Sequence, residues 1–496
     1  MALKCININI TAILRNSCII AAVVLNTIIA KAPTPIEPLS EHIIACQDIL
    51  TELAALNEIC TVKNQNVDFI EKKAAKDWTI IFYIAADNDL QSFAIRNIRQ
   101  MATIGSNEYM NIIVHLDIRI GNKKVTKRFY VEKNNIIEVN NNNPSTQRMD
   151  SGNPQTVISC AQWGIENFPA RHYMMVFWDH ATGIIDPNFS RIIKPIDLFT
   201  FNPTTYKLDL DRSIEFLDFI RAKDEDEISP HLGLCWDDST GHYLTNQKLQ
   251  YALTIIQRDF LHGKKFDIIA FDACLMAMAE IDDLVKEFAH ICIGSQEVEL
   301  GTGWNYQRVL APFIAGTVDR ETLARHIVAV YEQTYSPITN DYTLSAVNLD
   351  EFELLERSIN VVAKLLTECL KEQYGNTNKK IIQACRNRRA CTSFDEPTYL
   401  DFHHLCINIK SQLKNFRFKD RHTGEILIAD LETALDQAIQ LTEYLVIAKT
   451  AGKNLAKAYG ISIYFPERRI HSSYMKTPFA NHNEWSIFLT NYLLLA

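Results

Sequence analysis

The sequence predicts an α/β protein built on a mainly parallel β-sheet covered by helices on both faces. Two observations predict it. Short uninterrupted apolar runs bounded by Asp, Asn or Gly recur along the chain, as strands buried on both faces would. Helical stretches lie between several of these runs, and a strand–helix–strand alternation lays successive strands parallel. A third observation concerns the end of the chain: beyond Asp350 helical stretches dominate, and a late apolar run returns a strand to the core.

The first strand follows Trp78, in Thr79-Ile80-Ile81-Phe82-Tyr83-Ile84, and stops at the acidic turn Asp87-Asn88-Asp89. Further strands are expected at Ile112 to Leu116, Tyr173 to Trp178, Asp267 to Phe271 and Ile291 to Ile293. The helix before Tyr173 has its start signal, with Asn153 as N-cap and Pro154 at the first helical position. The Asn-rich stretch Asn140 to Asn143, closed by Pro144, reads as a surface loop. From Ile184 to Pro230 sheet periodicity is lost, which makes that segment a long excursion between two core strands. Helices are expected over Glu353 to Lys371 and Leu431 to Lys449, and a last strand over Ile461 to Phe465.

With 496 residues, 47% of them hydrophobic, the chain can bury a large core and suggests more than one lobe. A formal net charge of −9 argues against nucleic acid or an anionic membrane as the main partner, since phosphate binding draws on clustered Lys and Arg. The dense basic clusters, Arg386 to Arg389 and Arg468-Arg469, are short and read as solvated faces. Twelve cysteines are scattered without a C-x-x-C pair or zinc-type His spacing, so no structural metal or disulfide framework is indicated. Lys4 and Arg15, the apolar stretch Cys18 to Ala30 and the stiff segment Pro33 to Pro38 have the layout of a secretory signal peptide, which would make the protein secreted or periplasmic. Asn26 interrupts the run, and an amphipathic helix or an uncleaved anchor would also fit it. A helical leader with Leu50, Leu53, Leu56 and Ile59 at helical spacing then runs to Lys76.

Two residues carry candidate chemistry. His180 lies just after the strand ending at Trp178, at the carboxyl end of a parallel strand, where open α/β sheets place their ligands. Cys274 lies just after Asp272, and Leu275 to Glu280 reads as a helix, which would set the thiol at a helix N-terminus and favour the thiolate. Alone, each is more readily a structural residue than a catalytic one. Together, on strands able to neighbour one another, they supply a nucleophile and a proton carrier for one bond.

Around these two residues the chain resembles the clostripain family of cysteine peptidases. The resemblance is carried in order by WTIIFYIAADNDL at Trp78 to Leu90, YMMVFWDHATG at Tyr173 to Gly183, GLCWDDSTGHYLT at Gly233 to Thr245, FDIIAFDACLMAM at Phe266 to Met278, GSQEVELGTGWNY at Gly294 to Tyr306 and YGISIYFP at Tyr459 to Pro466. It implies a caspase-like fold and cleavage of protein or peptide substrates after basic residues. It further implies a His180/Cys274 dyad, an oxyanion held by backbone N–H groups at Ala181 and Cys274, and Asp272 on the floor of the pocket for the residue before the cut. The family usually has Gly where this chain has Ala181, and an Asp where it has Thr302. The loss of that Asp leaves Asp272, helped by Glu297 or Glu299, to select Arg or Lys.

The resemblance also implies self-cleavage in the excursion 184–230, with Arg191, Lys194, Lys207, Arg212, Arg221 and Lys223 as targets. Some relatives depend on calcium, for which Asp87-Asn88-Asp89 and Asp237-Asp238 offer hard oxygen ligands, although turn and capping roles suit these residues better. The expected organisation is a signal at 1–30, a leader at 31–76, a catalytic domain at 77–349 and a helix-rich α/β region at 350–496. The rival readings are a caspase-like protein that binds without cutting, and a cysteine hydrolase or transpeptidase acting on another acyl group.

Overall fold

The computed structural model describes residues 75–120, 123–139, 147–186, 199–201, 208–210, 233–371 and 373–495. The signal, the leader up to residue 74, the Asn-rich loop and all six basic residues proposed as self-cleavage targets lie outside the described residues, and the expected leader's last residue, Lys76, opens the first strand instead.

The sheet begins with β1 (Lys76–Ala86), in which every residue from Thr79 to Ala86 is buried. Burial at each successive position means that both faces of the strand are covered, which is why its sequence is a continuous apolar run. Helix α1 (Gln91–Ile104) carries the chain to β2 (Met110–Ile120), parallel to β1. The chain then turns back twice through β3 (Lys123–Glu132) and β4 (Asn135–Glu138), both antiparallel. Helix α2 (Pro154–Asn167) starts as its sequence predicts, with the Asn153 side chain accepting from Gln155 N and Pro154 in the first turn. It leads to β5 (Ala170–Trp178), which pairs parallel with the other side of β1.

The excursion contributes two described three-residue strands, β6 (Phe199–Phe201) and β7 (Leu208–Leu210), paired with each other. The hairpin of β8 (Leu234–Asp237) and β9 (His242–Leu244) follows, and then α3 (Asn246–Asp259). Next come β10 (Phe266–Asp272), α4 (Ala279–Val285) and β11 (Ala289–Gly294), which extend the parallel sheet outward from β5. After α5 (Arg320–Tyr335), β12 (Thr343–Asn348) adds antiparallel to β11.

The C-terminal region is helix-rich, with α6 (Phe352–Lys371), α7 (Arg421–Leu445) and α8 (Glu484–Leu494). It does return a strand to the core sheet, but not the expected one. That strand is β14 (Val446–Ala451), following the separate short strand β13 (Tyr399–Asp401), and it pairs with β12. Helix α7 therefore ends at Leu445, before the β-branched Val446 and Ile447, rather than at Lys449. The expected last strand is β15 (Ser462–Tyr464), and it pairs with β13 in a small sheet of its own.

Among the described residues the main sheet runs β14-β12-β11-β10-β5-β1-β2-β3-β4, a parallel centre with antiparallel edges. From β1 the chain moves first to one side, to β2, and then to the other, to β5. The carboxyl ends of β1 and β5 thus flank the point where strand order reverses, the crevice that α/β sheets offer to ligands. One basic cluster departs from its reading as a solvated face: Arg386 is buried, donating to Phe465 O at 2.8 Å with its guanidinium over the Phe465 ring.

Candidate active site

Trp178 and Asp272 are register partners at the ends of the parallel neighbours β5 and β10. His180 and Cys274 therefore lie two residues beyond the same rung, in adjoining loops. The loops touch: Gly183 has φ +69°, and a Cβ there would come within 2.7 Å of Leu275 O and 2.8 Å of the Met278 sulfur. Glycine is the residue that takes this positive φ and allows the close approach.

The imidazole of His180 is fully buried, and its Nε2 bonds to Asp89 Oδ1 at 2.9 Å. Burial alone would pull its pKa down, but Asp89, with lesser help from Asp179 and Asp238, outweighs that and raises it. The Asp89 carboxyl, which burial would raise, is held below its usual range by the same contact. Asp179, fully buried, is pushed up to about 8 by desolvation against the opposing effect of its partners.

Cys274 is 1% exposed, and its Sγ accepts from Glu299 N at 3.3 Å. The expected helix over Leu275 to Glu280 is not formed. Leu275 takes φ +62°, which breaks a right-handed turn, and α4 starts only at Ala279 with Met278 extended at its N-cap. The thiol therefore does not sit in the first turn of α4. Burial drives its pKa well above the ordinary value; the Glu299 N–H works the other way, while the carboxylates of Glu299, Glu297 and Asp395 reinforce the rise. This environment favours the thiol over the thiolate.

Of the residues expected to receive substrate, Asp272 and Glu299 come together and the other two are engaged elsewhere. Asp272 Oδ2 accepts from Trp304 N at 3.0 Å and from the Tyr306 hydroxyl at 2.6 Å. Burial pushes its pKa up to about 6 against those hydrogen bonds and its contact with the carboxyl of Glu299. Glu299 is raised well above its usual range by burial and then by Asp272. Its Oε2 accepts from Trp304 Nε1 at 3.2 Å. Glu297 is a structural clamp instead: its Oε1 accepts from the backbone N–H groups of Val298 at 2.8 Å and Asp395 at 3.2 Å. The Thr302 hydroxyl bonds to that of Tyr335 at 2.8 Å. Ala181 is fully buried in the His180 loop. Gly303, at φ +62°, brings the backbone against Asp272, where a Cβ would sit 2.8 Å from its Oδ2.

The acidic residues weighed as calcium ligands have basic partners or hydrogen bonds. Asp87 pairs with Arg119 at 2.8 Å and Lys124 at 3.6 Å. Asp237 also pairs with Lys124 and accepts from Ser151 N at 3.0 Å, and Asp238 lies 3.9 Å from Arg119. Asn88 Nδ2 donates to Asp179 Oδ1 at 2.8 Å, and Asp89 Oδ1 bonds to His180 Nε2 at 2.9 Å. Two site residues escaped sequence reasoning. Asp89 was visible only as part of an acidic turn, and Asp395 lies on a loop far along the chain with no local signal.

A sheet of this order, with a histidine and a cysteine two residues beyond one rung, is the architecture of a cysteine peptidase of caspase-like fold. The chain belongs to the clostripain family: the profile of the Clostripain family matches residues 82–194 and 221–491. Two solved structures have a similar fold. One is a secreted C11 cysteine protease from Bacteroides thetaiotaomicron in complex with an irreversible peptide inhibitor, with TM-score 0.51 and 16% identity over 84% of this chain and 99% of that one. The other is an inactive zymogen C11 protease from Parabacteroides distasonis, with TM-score 0.51 and 18% identity over 84% of this chain and 99% of that one. No curated protein matches the chain in sequence.

Proposed function

We propose that this cysteine peptidase is an endopeptidase that cuts after Arg or Lys with Cys274 as nucleophile and His180 as proton carrier. The observation that supports it most is the shared Trp178–Asp272 rung, which carries both residues into touching loops at the carboxyl end of the sheet. The Cys274 sulfur attacks the scissile carbonyl, and the oxyanion is held by the backbone N–H groups of Ala181 and Cys274. His180 protonates the departing amine, and water then hydrolyses the thioester.

Asp272 receives the basic side chain, with Glu299 rather than Glu297 as its helper, because the Glu297 carboxylate is already bound to two backbone N–H groups. Burial is the main cause of the raised thiol pKa, and a cation entering this cluster would lower it by offsetting the carboxylate charge that adds to the effect of burial. Substrate binding and thiolate formation are then coupled. The buried thiol suits a precursor that needs activation, and we place self-cleavage in the excursion 184–230, after one of its basic residues. A neighbour of this fold is described as secreted and another as a zymogen, which is consistent with export and with activation.

Fluorogenic peptides ending in Arg, Lys or a neutral residue, given to the wild type, Cys274→Ala and His180→Ala, test the reading. Turnover in the wild type alone, fastest on the basic peptides, is expected. Peptide turnover that survives Cys274→Ala would sink it. Intact masses of the wild type and Cys274→Ala test maturation: two chains in the first and one in the second are expected, and single chains in both, with full activity, would rule out self-cleavage.

A further inference from the structure

Two adjacent residues of the loop after β1 bond to two adjacent residues of the loop after β5. Asn88 Nδ2 donates to Asp179 Oδ1 at 2.8 Å, and Asp89 Oδ1 meets His180 Nε2 at 2.9 Å. The first contact fastens the second. Asn88 Nδ2 also reaches Ala85 O and Trp236 O, each at 3.2 Å, while its Oδ1 accepts from Leu90 N at 3.0 Å, which fixes the turn that presents Asp89. Asp179 is tied in turn to the β8 hairpin through Trp236 N. The His180 imidazole has no exposure, whereas the Asp89 side chain keeps 23%, so the ring is enclosed and the carboxylate sits at the rim.

We infer that Asp89 is the positioning residue for His180: its carboxylate holds the ring by the Nε2 proton and leaves Nδ1 as the nitrogen that exchanges a proton with the substrate. The inference rests on the dyad reading and adds a third member to it. When the thioester forms, the Cys274 Sγ proton passes to His180 Nδ1 as the C–S bond is made, and it passes from Nδ1 to the amine nitrogen as the C–N bond breaks. In hydrolysis the water oxygen bonds to the acyl carbon, one water proton goes to Nδ1, and the C–S bond breaks with that proton passing to the sulfur, which restores the thiol. The Nε2 proton stays on the Asp89 hydrogen bond throughout, as an orienting carboxylate requires.

Among the described residues, carboxyls act on His180 from three places: Asp89 in the loop after β1, Asp179 on its own loop and Asp238 in the β8 hairpin. Asp179 is raised to about 8 and is largely protonated at neutral pH, and Asp238 lies near Arg119. Asp89, kept below the usual carboxylate range, is the charge in direct contact with the ring.

Asp89→Asn in the full chain tests this, because the amide keeps the shape and removes the charge. Expected are a kcat lower by about 10- to 100-fold, a KM within about twofold, and an acidic limb of kcat/KM displaced to lower pH. Asp89→Glu should recover part of kcat. A kcat within threefold of wild type with an unmoved limb, while Cys274→Ala and His180→Ala are inactive, would overturn the positioning role and leave the dyad standing. Activity in either of those two variants would sink the dyad itself. If Asp89→Asn does not fold, 15N NMR of histidine-labelled Cys274→Ala decides: a proton on Nε2 of His180 is expected, and a bare Nε2 with protonated Nδ1 overturns the inference.

Discussion

The backbone N–H of Glu299 points at the Cys274 sulfur from 3.3 Å, while the carboxyl of the same residue lies against that of Asp272. One residue therefore links Cys274 to the acidic cluster beside it. Its N–H favours the thiolate and its carboxylate opposes it.

The thiol should be unreactive until substrate arrives. Carboxamidomethylation of Cys274 in the substrate-free protein, followed by mass spectrometry, is expected to be slow at neutral pH, with a midpoint above the ordinary thiol value of 9.0. A fast reaction at pH 7 would mean that the thiolate is already present without a basic side chain.

Asp272 should govern the basic preference. Losing a hydrogen bond to a charged group costs roughly 1.5–3 kcal/mol, so Asp272→Asn should lower kcat/KM for Arg and Lys peptides by about 10- to 100-fold. Neutral peptides should change by less than about threefold, because they make no such bond. The cation needs the ionised carboxylate, whose pKa is about 6. Activity on basic peptides should therefore fall as pH drops through that value, and neutral peptides should lack this contribution and keep only the limb set by His180. Equal losses on both peptide classes would contradict the assignment.

Thr302→Asp should sharpen selectivity. The Thr302 hydroxyl now bonds to Tyr335, and a carboxylate there would add a second charge to the cluster. The ratio of kcat/KM on Arg over neutral peptides is expected to rise about tenfold, the effect of one more charge-assisted contact. An unchanged ratio would show that position 302 does not face the bound side chain.

Stability should fall as pH rises, through Glu280. This fully buried carboxyl accepts from Tyr464 N at 2.9 Å, and burial raises its pKa from 4.5 to about 8. A carboxyl raised in the folded state stabilises most fully below its unfolded pKa and loses that contribution as pH climbs to the folded one. The ceiling is on the order of 4 kcal/mol across that window. In a Cys274→Ala background, which avoids self-digestion, Glu280→Gln should flatten the decline of urea stability between pH 5 and 8. Parallel curves for the two proteins would assign the decline to other groups.

Much of the sheet was legible because strands such as Thr79 to Ile84 and Ile268 to Phe271 are buried on both faces, and a continuous apolar run is a local signal. The N-cap at Asn153 was legible for the same reason, since a cap needs only its own helix. The run Leu275 to Glu280 misled because its composition suits a helix. Contacts from outside override it: Leu275 N bonds to Glu297 O, Ala277 N to Ser295 O, and Ser462 N to Ala277 O. Val446 to Ala451 continued a helical pattern, and its place beside β12 depends on an open sheet edge that the local sequence does not reveal.

The sequence by itself determined the buried strands β1, β2, β5, β10 and β11 and that His180 and Cys274 each follow one, because these depend on neighbours in the chain. Only the tertiary structure decided that Cys274 is buried as a thiol among carboxylates, that Glu299 rather than Glu297 joins Asp272, and that Asp89 holds His180. Each of those contacts is made where separate loops meet at the carboxyl end of the sheet, where burial shifts Cys274 and Glu299 and the mutual contact of His180 and Asp89 outweighs it.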